Sequence, residues 1–266
     1  MPLAETPDIG AYFERIGYAG SLAPTPETLA ALLKAQVGAI PFETLDTLLG
    51  VPPRPEFANL QQKLVFDRRG GSGIELNLLL AGILADLDQP VLLHWADVMA
   101  EMGDAAIPEG RHLVLTALVG GITYLLDAGF GALTPGMPVR LRAGLEQEAP
   151  LGKVRVSGGD PHVVLELDQG EGFAPLYRFH PGEAAGEVRV EDMVLPPGLR
   201  AARVLPDGTR LALQGTALET RKPGEDPVRE TIASPDALKD LLRTRFGLKL
   251  PPDERLDPAL AALFGT

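Results

Sequence analysis

Arg68-Arg69-Gly70-Gly71-Ser72-Gly73-Ile74-Glu75-Leu76-Asn77 leads into an apolar segment that ends at Leu87. The glycine pair Gly70-Gly71 lets the backbone turn tightly just before it, so a helix starts there. Ile74, Leu76, Leu78, Leu79, Leu80, Ile83, Leu84 and Leu87 are spread over nearly every side of that helix. A helix apolar all round is a buried one. The pattern therefore predicts a buried helix over 74–87 that begins at a tight turn.

The chain before it is also helical in pattern. Thr25-Pro26-Glu27-Thr28 combines a cap residue, a proline at the first helical position and an early acid, and the apolar run 29–40 follows until Pro41 stops it. Val51-Pro52-Pro53-Arg54-Pro55 connects this helix to a short one at 60–66. After Pro90 the periodicity changes. Strands are expected at 91–99, 112–119, 122–128, 162–167 and 176–179, with glycine-rich punctuation between them. Residues 100–111 and 143–161 read as long loops. Three more strands are expected at 201–205, 210–214 and 217–221, the first two joined by the turn Pro206-Asp207-Gly208. Ser234-Pro235-Asp236 then caps a helix to about residue 245, closed by Gly247. The expected organisation is α+β: helices in 1–90, an antiparallel sheet or barrel in 91–198, and a smaller α/β piece in 199–266.

Composition narrows the function. The 266 residues carry 36 acidic and 24 basic side chains, a formal net charge of −12 that repels phosphate backbones and leaves no footprint for nucleic acid. No apolar run approaches the roughly 18–20 residues that span a bilayer, so no membrane association is expected. The start, Met1-Pro2-Leu3-Ala4-Glu5, lacks the basic and apolar regions of a secretory signal, and a cytoplasmic protein is expected. Cysteine is absent, which removes disulfides, thiolate metal ligands and cysteine nucleophiles together. The four histidines show no HExxH-type spacing, so no metal site is expected.

One pairing follows from spacing alone. Val119-Gly120-Gly121-Ile122 has the form of a two-residue hairpin loop. If Val119 pairs with Ile122, then Val114 lies opposite Asp127 and His112 opposite Gly129. Alternation puts His112, Val114 and Thr116 on one face with Asp127, Leu125 and Thr123. His112 and Asp127 are then diagonal neighbours within side-chain reach. Such a carboxylate fixes the imidazole tautomer and supports its protonated form. A structural hydrogen bond near a strand end and a catalytic base are both compatible with that spacing.

Several stretches together resemble the arylamine N-acetyltransferases. Phe13-Glu14-Arg15-Ile16-Gly17-Tyr18 with Gly20-Ser21-Leu22 is similar to the opening of that family, and Ile40-Pro41-Phe42-Glu43-Thr44-Leu45-Asp46 to its "IPFENLD". Arg68 to Asn77 resembles "RRGGYCFELN". Arg111-His112-Leu113-Val114-Leu115, Asp127-Ala128-Gly129-Phe130-Gly131, Pro175-Leu176-Tyr177-Arg178-Phe179 and Arg245-Phe246-Gly247-Leu248 complete the series, in order and over most of the chain. The resemblance implies a helical bundle, a β-barrel and an α/β lid around a cysteine-proteinase-like core. It also implies a Cys-His-Asp triad whose thiolate takes an acetyl group from acetyl-CoA and passes it to an arylamine or hydrazine. Coenzyme A enters as a ligand by the resemblance only; the residues themselves call for no cofactor.

Carried onto this chain, the family's histidine falls on His112, its aspartate on Asp127 and its cysteine on Gly73, with Gly70-Gly71 on one side and Glu75 and Asn77 on the other holding the register. Glycine cannot carry an acyl group. Ser72 is the adjacent substitute, but successive side chains at a helix start diverge by about 100°. The family geometry would put Phe42 and Phe130 in the acceptor pocket, and core packing explains those aromatics equally well. Glu75 and Asn77 read as structural, and Arg140, Arg142, Lys153 and Arg155 as a solvated face or a weak phosphate site. The aromatics flanking the family's cysteine are replaced by Ser72 and Ile74, and its Trp-Tyr-Thr-Ser-type segment by residues 190–197. Such clustered departures point to a changed role.

Three functions are compatible with these residues. The first is a small-molecule enzyme that uses His112 and Asp127 as a base without a covalent acyl-enzyme, in a cyclisation, an isomerisation or a direct acyl transfer. The missing thiol is expected to leave room where the acyl group would sit. The second is an inactive binding or regulatory protein. The third is residual acetyl transfer from acetyl-CoA to an amine, through Ser72 or without an intermediate.

Overall fold

A computed structural model describes residues 6–100, 110–193 and 198–265. The first third holds α1 (Ile9–Ile16), α2 (Pro26–Ala39), the two-residue strand β1 (Phe42–Glu43), α3 (Leu45–Leu48), α4 (Phe57–Gln61) with a π-helical continuation at Gln62–Phe66, and α5 (Gly73–Asp86). Thr25 caps α2, its side chain accepting the Thr28 N–H with Pro26 in the first turn, as the sequence anticipates. Helix α5 starts at the glycine turn and buries Ile74, Leu76, Leu79, Leu80, Ile83 and Leu84.

Eight antiparallel strands follow: β2 (Val91–Val98), β3 (Arg111–Val119), β4 (Ile122–Leu126), β5 (Val139–Arg140), β6 (Glu146–Ala149), β7 (Gly152–Gly159), β8 (His162–Asp168) and β9 (Phe173–Phe179). They form one sheet in the order β5-β4-β3-β2-β9-β8-β7-β6. The sheet curls into a nearly closed barrel, with Ala143 bridging back to Val156 of β7. The β3–β4 hairpin has the expected register, Val119 opposite Ile122, and turns through Gly120 and Gly121 at φ +57° and +78°. Those angles are the positive-φ pair of the tightest hairpin turn, open to glycine at little cost.

The remaining elements are β10 (Arg200–Val204), β11 (Arg210–Gln214), β12 (Ala217–Arg221), β13 (Val228–Thr231), α6 (Pro235–Thr244) and α7 (Asp253–Ala262). The second sheet has the order β1-β10-β11-β12-β13, so Phe42 and Glu43 of the first third form its edge, paired with Ala202 and Ala201. The whole is an α+β fold: a helical bundle, a nearly closed barrel sheet, and a second sheet covered by two helices. Three main cores hold it together. Strand β3 serves two of them, because alternate side chains leave opposite faces: Leu115 and Ala117 join the helical core, while Val114 joins Val154, Leu165 and Phe179 inside the barrel. Leu213, Leu238, Leu242, Phe246 and Leu256 make the core of the second sheet.

The structure differs from the sequence expectation in several places. Residues 143–161 are not a loop but contain β6 and β7. Strand β6 is a half-exposed edge reading Glu-Gln-Glu-Ala, so it lacks the apolar alternation that announces a strand. Strand β13 is exposed along its length and is silent for the same reason. Helix α7 contains Pro258 and has little periodicity. Strand β4 stops at Leu126, one residue before Asp127, which leaves the ladder. The expected loop at 100–111 lies mostly outside the described residues, and so does 194–197 of the divergent segment; Val190–Asp192 forms a 3₁₀ turn. Among the described residues, no helix is long and apolar enough to cross a membrane.

Candidate active site

The turn before α5 is held from below. The Gly71 N–H donates to the Pro41 carbonyl at 3.2 Å, and the Glu43 N–H to the Gly71 carbonyl at 2.9 Å. A side chain at Gly70 would collide with the Pro41 carbonyl, so the backbones can approach this closely only with glycine there. Beneath the turn lies a network of two cations and three carboxylates. Lys63 Nζ lies 2.7 Å from Asp46 and 2.8 Å from Glu75, while Arg69 lies 2.7 Å from Glu43 and 2.9 Å from Asp46. Glu75 also accepts the Ser72 N–H at 2.8 Å. Burial works against the charge on Lys63, but Glu75, Glu43 and Asp46 more than offset it and push its pKa well above the usual lysine value.

Ser72 is the N-cap of α5. Its hydroxyl accepts the Glu75 N–H at 3.4 Å, and with the return bond from Ser72 N–H it closes a capping box. Ser72→Ala is therefore expected to lower stability by about 0.5–2 kcal/mol, the usual cost of a lost cap, and to leave any turnover untouched. Thermal unfolding beside a turnover assay checks this; unchanged stability with lost turnover would make Ser72 a nucleophile instead.

His112 and Asp127 meet as the hairpin register requires. His112 Nε2 lies 3.0 Å from Asp127 Oδ2, and both side chains are buried. The other carboxylate oxygen accepts Asn77 Nδ2 at 3.0 Å and the Gly129 N–H at 2.8 Å. Asn77 further donates to the Leu113 carbonyl at 2.7 Å and accepts the Ala128 N–H at 2.8 Å. It thus ties α5, β3 and the chain after β4 into one arrangement. Burial opposes ionisation of Asp127, yet His112 beside it, with the bonds from His112, Asn77 and Gly129, holds its carboxyl below the usual aspartate range.

With Nε2 committed to Asp127, the second imidazole nitrogen faces position 73. His112 Nδ1 is buried and has no hydrogen-bond partner. A Cβ added at Gly73 would lie 2.9 Å from Nδ1, 2.8 Å from Cε1 and 2.5 Å from the Gly129 carbonyl oxygen. Gly73 therefore points at the free nitrogen of the pair. The expected room is not there, however. The Gly129 carbonyl and the imidazole have closed over position 73, because a glycine pair lets two backbones meet where a side chain would have kept them apart.

Phe130 and Tyr177 enclose the imidazole, with ring centroids 5.2 Å and 5.7 Å from His112, and they meet each other edge-on at 4.9 Å. Burial, and then the nearby Asp127 charge, drive the Tyr177 hydroxyl well above the usual tyrosine pKa, so it stays neutral. Phe130 thus lies beside the pair, whereas Phe42, whose backbone is bridged to Gly71, buries its side chain in the helical core. Arg155 is paired with Glu166 and lies over the Phe173 ring, and Lys153 is 3.6 Å from Glu146, so two members of the basic cluster already have acid partners.

The sequence marks Asn77 as structural and does not single out Tyr177. The signal for Asn77 was present: it follows Gly73 by four residues on α5, so the two share a helix face. Tyr177 comes from β9, which β2 separates from β3, and no local pattern links it to His112.

The chain is similar to known proteins over most of its length. The model of the N-acetyltransferase family matches residues 25–255. The arylamine N-acetyltransferase of Mycobacterium tuberculosis is 34% identical over 259 residues, covering 91% of this chain and 90% of the relative. The arylamine N-acetyltransferase / N-hydroxyarylamine O-acetyltransferase of Salmonella typhimurium is 30% identical over 251 residues, 90% and 88% of the two chains. Among solved structures, Mycobacterium marinum arylamine N-acetyltransferase in complex with CoA superposes with a TM-score of 0.86 at 32% identity, over 96% of this chain and 99% of that one.

Proposed function

Since this chain belongs to the arylamine N-acetyltransferase family yet contains no cysteine, we propose that it transfers an acyl group directly between two bound small molecules, with His112 as the base and no acyl-enzyme. His112 Nδ1 takes the proton from an amine as its nitrogen attacks the thioester carbonyl of the donor. The C–N bond forms and the C–S bond breaks. The proton held on Nδ1 then passes to the departing thiolate, so the imidazole is regenerated. Asp127, bonded to Nε2, stabilises the imidazolium between these two transfers. The M. marinum relative was solved with CoA, which supports a CoA thioester as the donor. The observation that carries this reading is the partnerless His112 Nδ1 facing a residue without a side chain, a nitrogen that an amine reaches only when the contact between Gly73 and Gly129 opens. An unpaired buried nitrogen costs roughly 1–3 kcal/mol, and a reacting proton gives it a purpose.

The test is acetyl-CoA with a panel of arylamines and hydrazines, read as thiol release together with the intact mass of the protein. Thiol is expected to appear with no mass gain on the protein, and His112→Ala is expected to slow it by about 10²–10⁴-fold. Turnover indifferent to that substitution, or an acylated protein, would overturn the reading.

One observation favours a second reading, binding without turnover. The imidazole is 0% exposed and position 73 is filled. A ligand that raises the unfolding temperature, remains unchanged and is held equally well by His112→Ala would establish it.

A further inference from the structure

Away from the His112–Asp127 pair, a cleft of about 560 Å³ separates the turns at the lower end of the barrel from the second sheet. Its walls include Arg210 of β11, Arg221 and Lys222 at the end of β12, and Gln169 from the β8–β9 turn. The two arginines are directly opposite in the β11–β12 register. Like charges facing each other across a ladder repel, unless something of opposite sign lies between them.

Arg210 is the unusual member. It is 3% exposed, and its Nη1 donates to the Ala132 and Thr134 carbonyls at 2.7 and 2.8 Å. Its Nε and Nη2 have no hydrogen-bond partner. Among the described residues no carboxylate pairs with it. Arg221 and Lys222, by contrast, have Glu219 at 3.2 Å and Glu225 at 3.6 Å. Burial first, and then Arg221, lower the Arg210 pKa to about 10, still high enough to keep the guanidinium charged at neutral pH. A buried cation without a counter-charge is strongly unfavourable, and a planar fork with two idle nitrogens matches an oxyanion better than any other ligand.

We infer that this cleft is a binding site for a phosphate-type anion, with Arg210 as its anchor and Arg221 as the second counter-charge. The anion is either free phosphate or the phosphorylated end of a larger ligand. Rim acids such as Glu171 and Asp226 are solvent-exposed and screened, whereas Arg210 acts from a low-dielectric floor, so the floor sets the preference. The same guanidinium holds the turn at Ala132 and Thr134, a few residues beyond Asp127 and Phe130. Occupancy is therefore expected to stiffen that turn, whichever reading of the His112–Asp127 pair holds.

The experiment is thermal unfolding and calorimetric titration of the full chain with inorganic phosphate, with CoA and with pantetheine, all at one ionic strength set with chloride. Phosphate or CoA is expected to stabilise the protein and pantetheine to do nothing. Stabilisation by phosphate alone identifies a free anion; stabilisation by CoA alone identifies a phosphorylated end only if Arg221→Gln weakens it, because CoA held solely beside His112 would be indifferent to that change. Arg210→Met is expected to weaken the dissociation constant at least tenfold. Because that change also frees two carbonyls and can impair folding, Arg221→Gln is the second variant, expected to fold normally and bind several-fold more weakly. No stabilisation by either phosphate-bearing probe, or equal binding by Arg221→Gln and the parent protein, would overturn the assignment.

Discussion

Replacing Gly73 with cysteine is expected to lower stability by about 1–3 kcal/mol, the usual cost of forcing extra atoms into a packed site, and to create a protein that acetyl-CoA acylates at residue 73. The first effect follows from geometry. The new Cβ would lie 2.5 Å from the Gly129 carbonyl and 2.8 Å from the His112 ring, so the Gly129 turn and the imidazole must both retreat. The second follows from what the sulfur would meet, since it would enter beside Nδ1, the one imidazole nitrogen not bound to Asp127. A histidine backed by a carboxylate lowers a thiol's pKa, and the helix N-terminus at Ser72 helps in the same direction. Denaturant unfolding measures the cost; intact mass and peptide mapping locate the acetyl group. A stable variant that stays unmodified would mean that the imidazole and position 73 do not communicate. Retaining the parent's stability while becoming acylated would mean that the close contact between Gly73 and Gly129 relaxes freely.

Asp127→Ala is expected to cost more, about 3–5 kcal/mol, because removing one partner of a buried pair strands the others. His112 Nε2 and the Gly129 N–H both lose an acceptor in a site without water access, and Asn77 loses one of its two. Asp127→Asn keeps the shape and one oxygen and should cost markedly less. The loss must also depend on pH with a defined sign. The folded pKa of Asp127 lies below its ordinary value of 3.8, so the unfolded chain binds more protons in that range and stability rises with pH. The contribution of Asp127 is therefore complete above the unfolded value and disappears as pH falls through the lower folded one. Urea midpoints of parent and variant should differ most at neutral pH and converge below about pH 4. A gap that stays constant down to pH 3 would show that the carboxylate's charge is not what stabilises the site.

Much of this site was legible from local pattern. Val119-Gly120-Gly121-Ile122 admits few turns, and strand alternation then places His112 and Asp127 on one face without further information. The capping role of Ser72 was less legible. Its spacing to Glu75 has the capping-box form, but the same hydroxyl also reads as a substitute nucleophile until its bond to the Glu75 N–H is seen. Strands β6 and β13 could not be found from sequence because edge strands facing water carry polar residues on both sides, so the period-2 signal vanishes.

Side-chain periodicity, turn chemistry and the absence of cysteine are local or countable properties. They alone determined the buried helix after the glycine turn, the hairpin that pairs His112 with Asp127, and the exclusion of a thiol nucleophile. The packing of distant segments decided the rest. Gly129, more than fifty residues beyond Gly73, closes the space that a missing side chain was expected to leave open, and Tyr177 and Phe130 seal the imidazole from other parts of the barrel. Whether a gap persists or collapses depends on how well its surroundings can approach, and that is a property of the assembled core rather than of any stretch of chain.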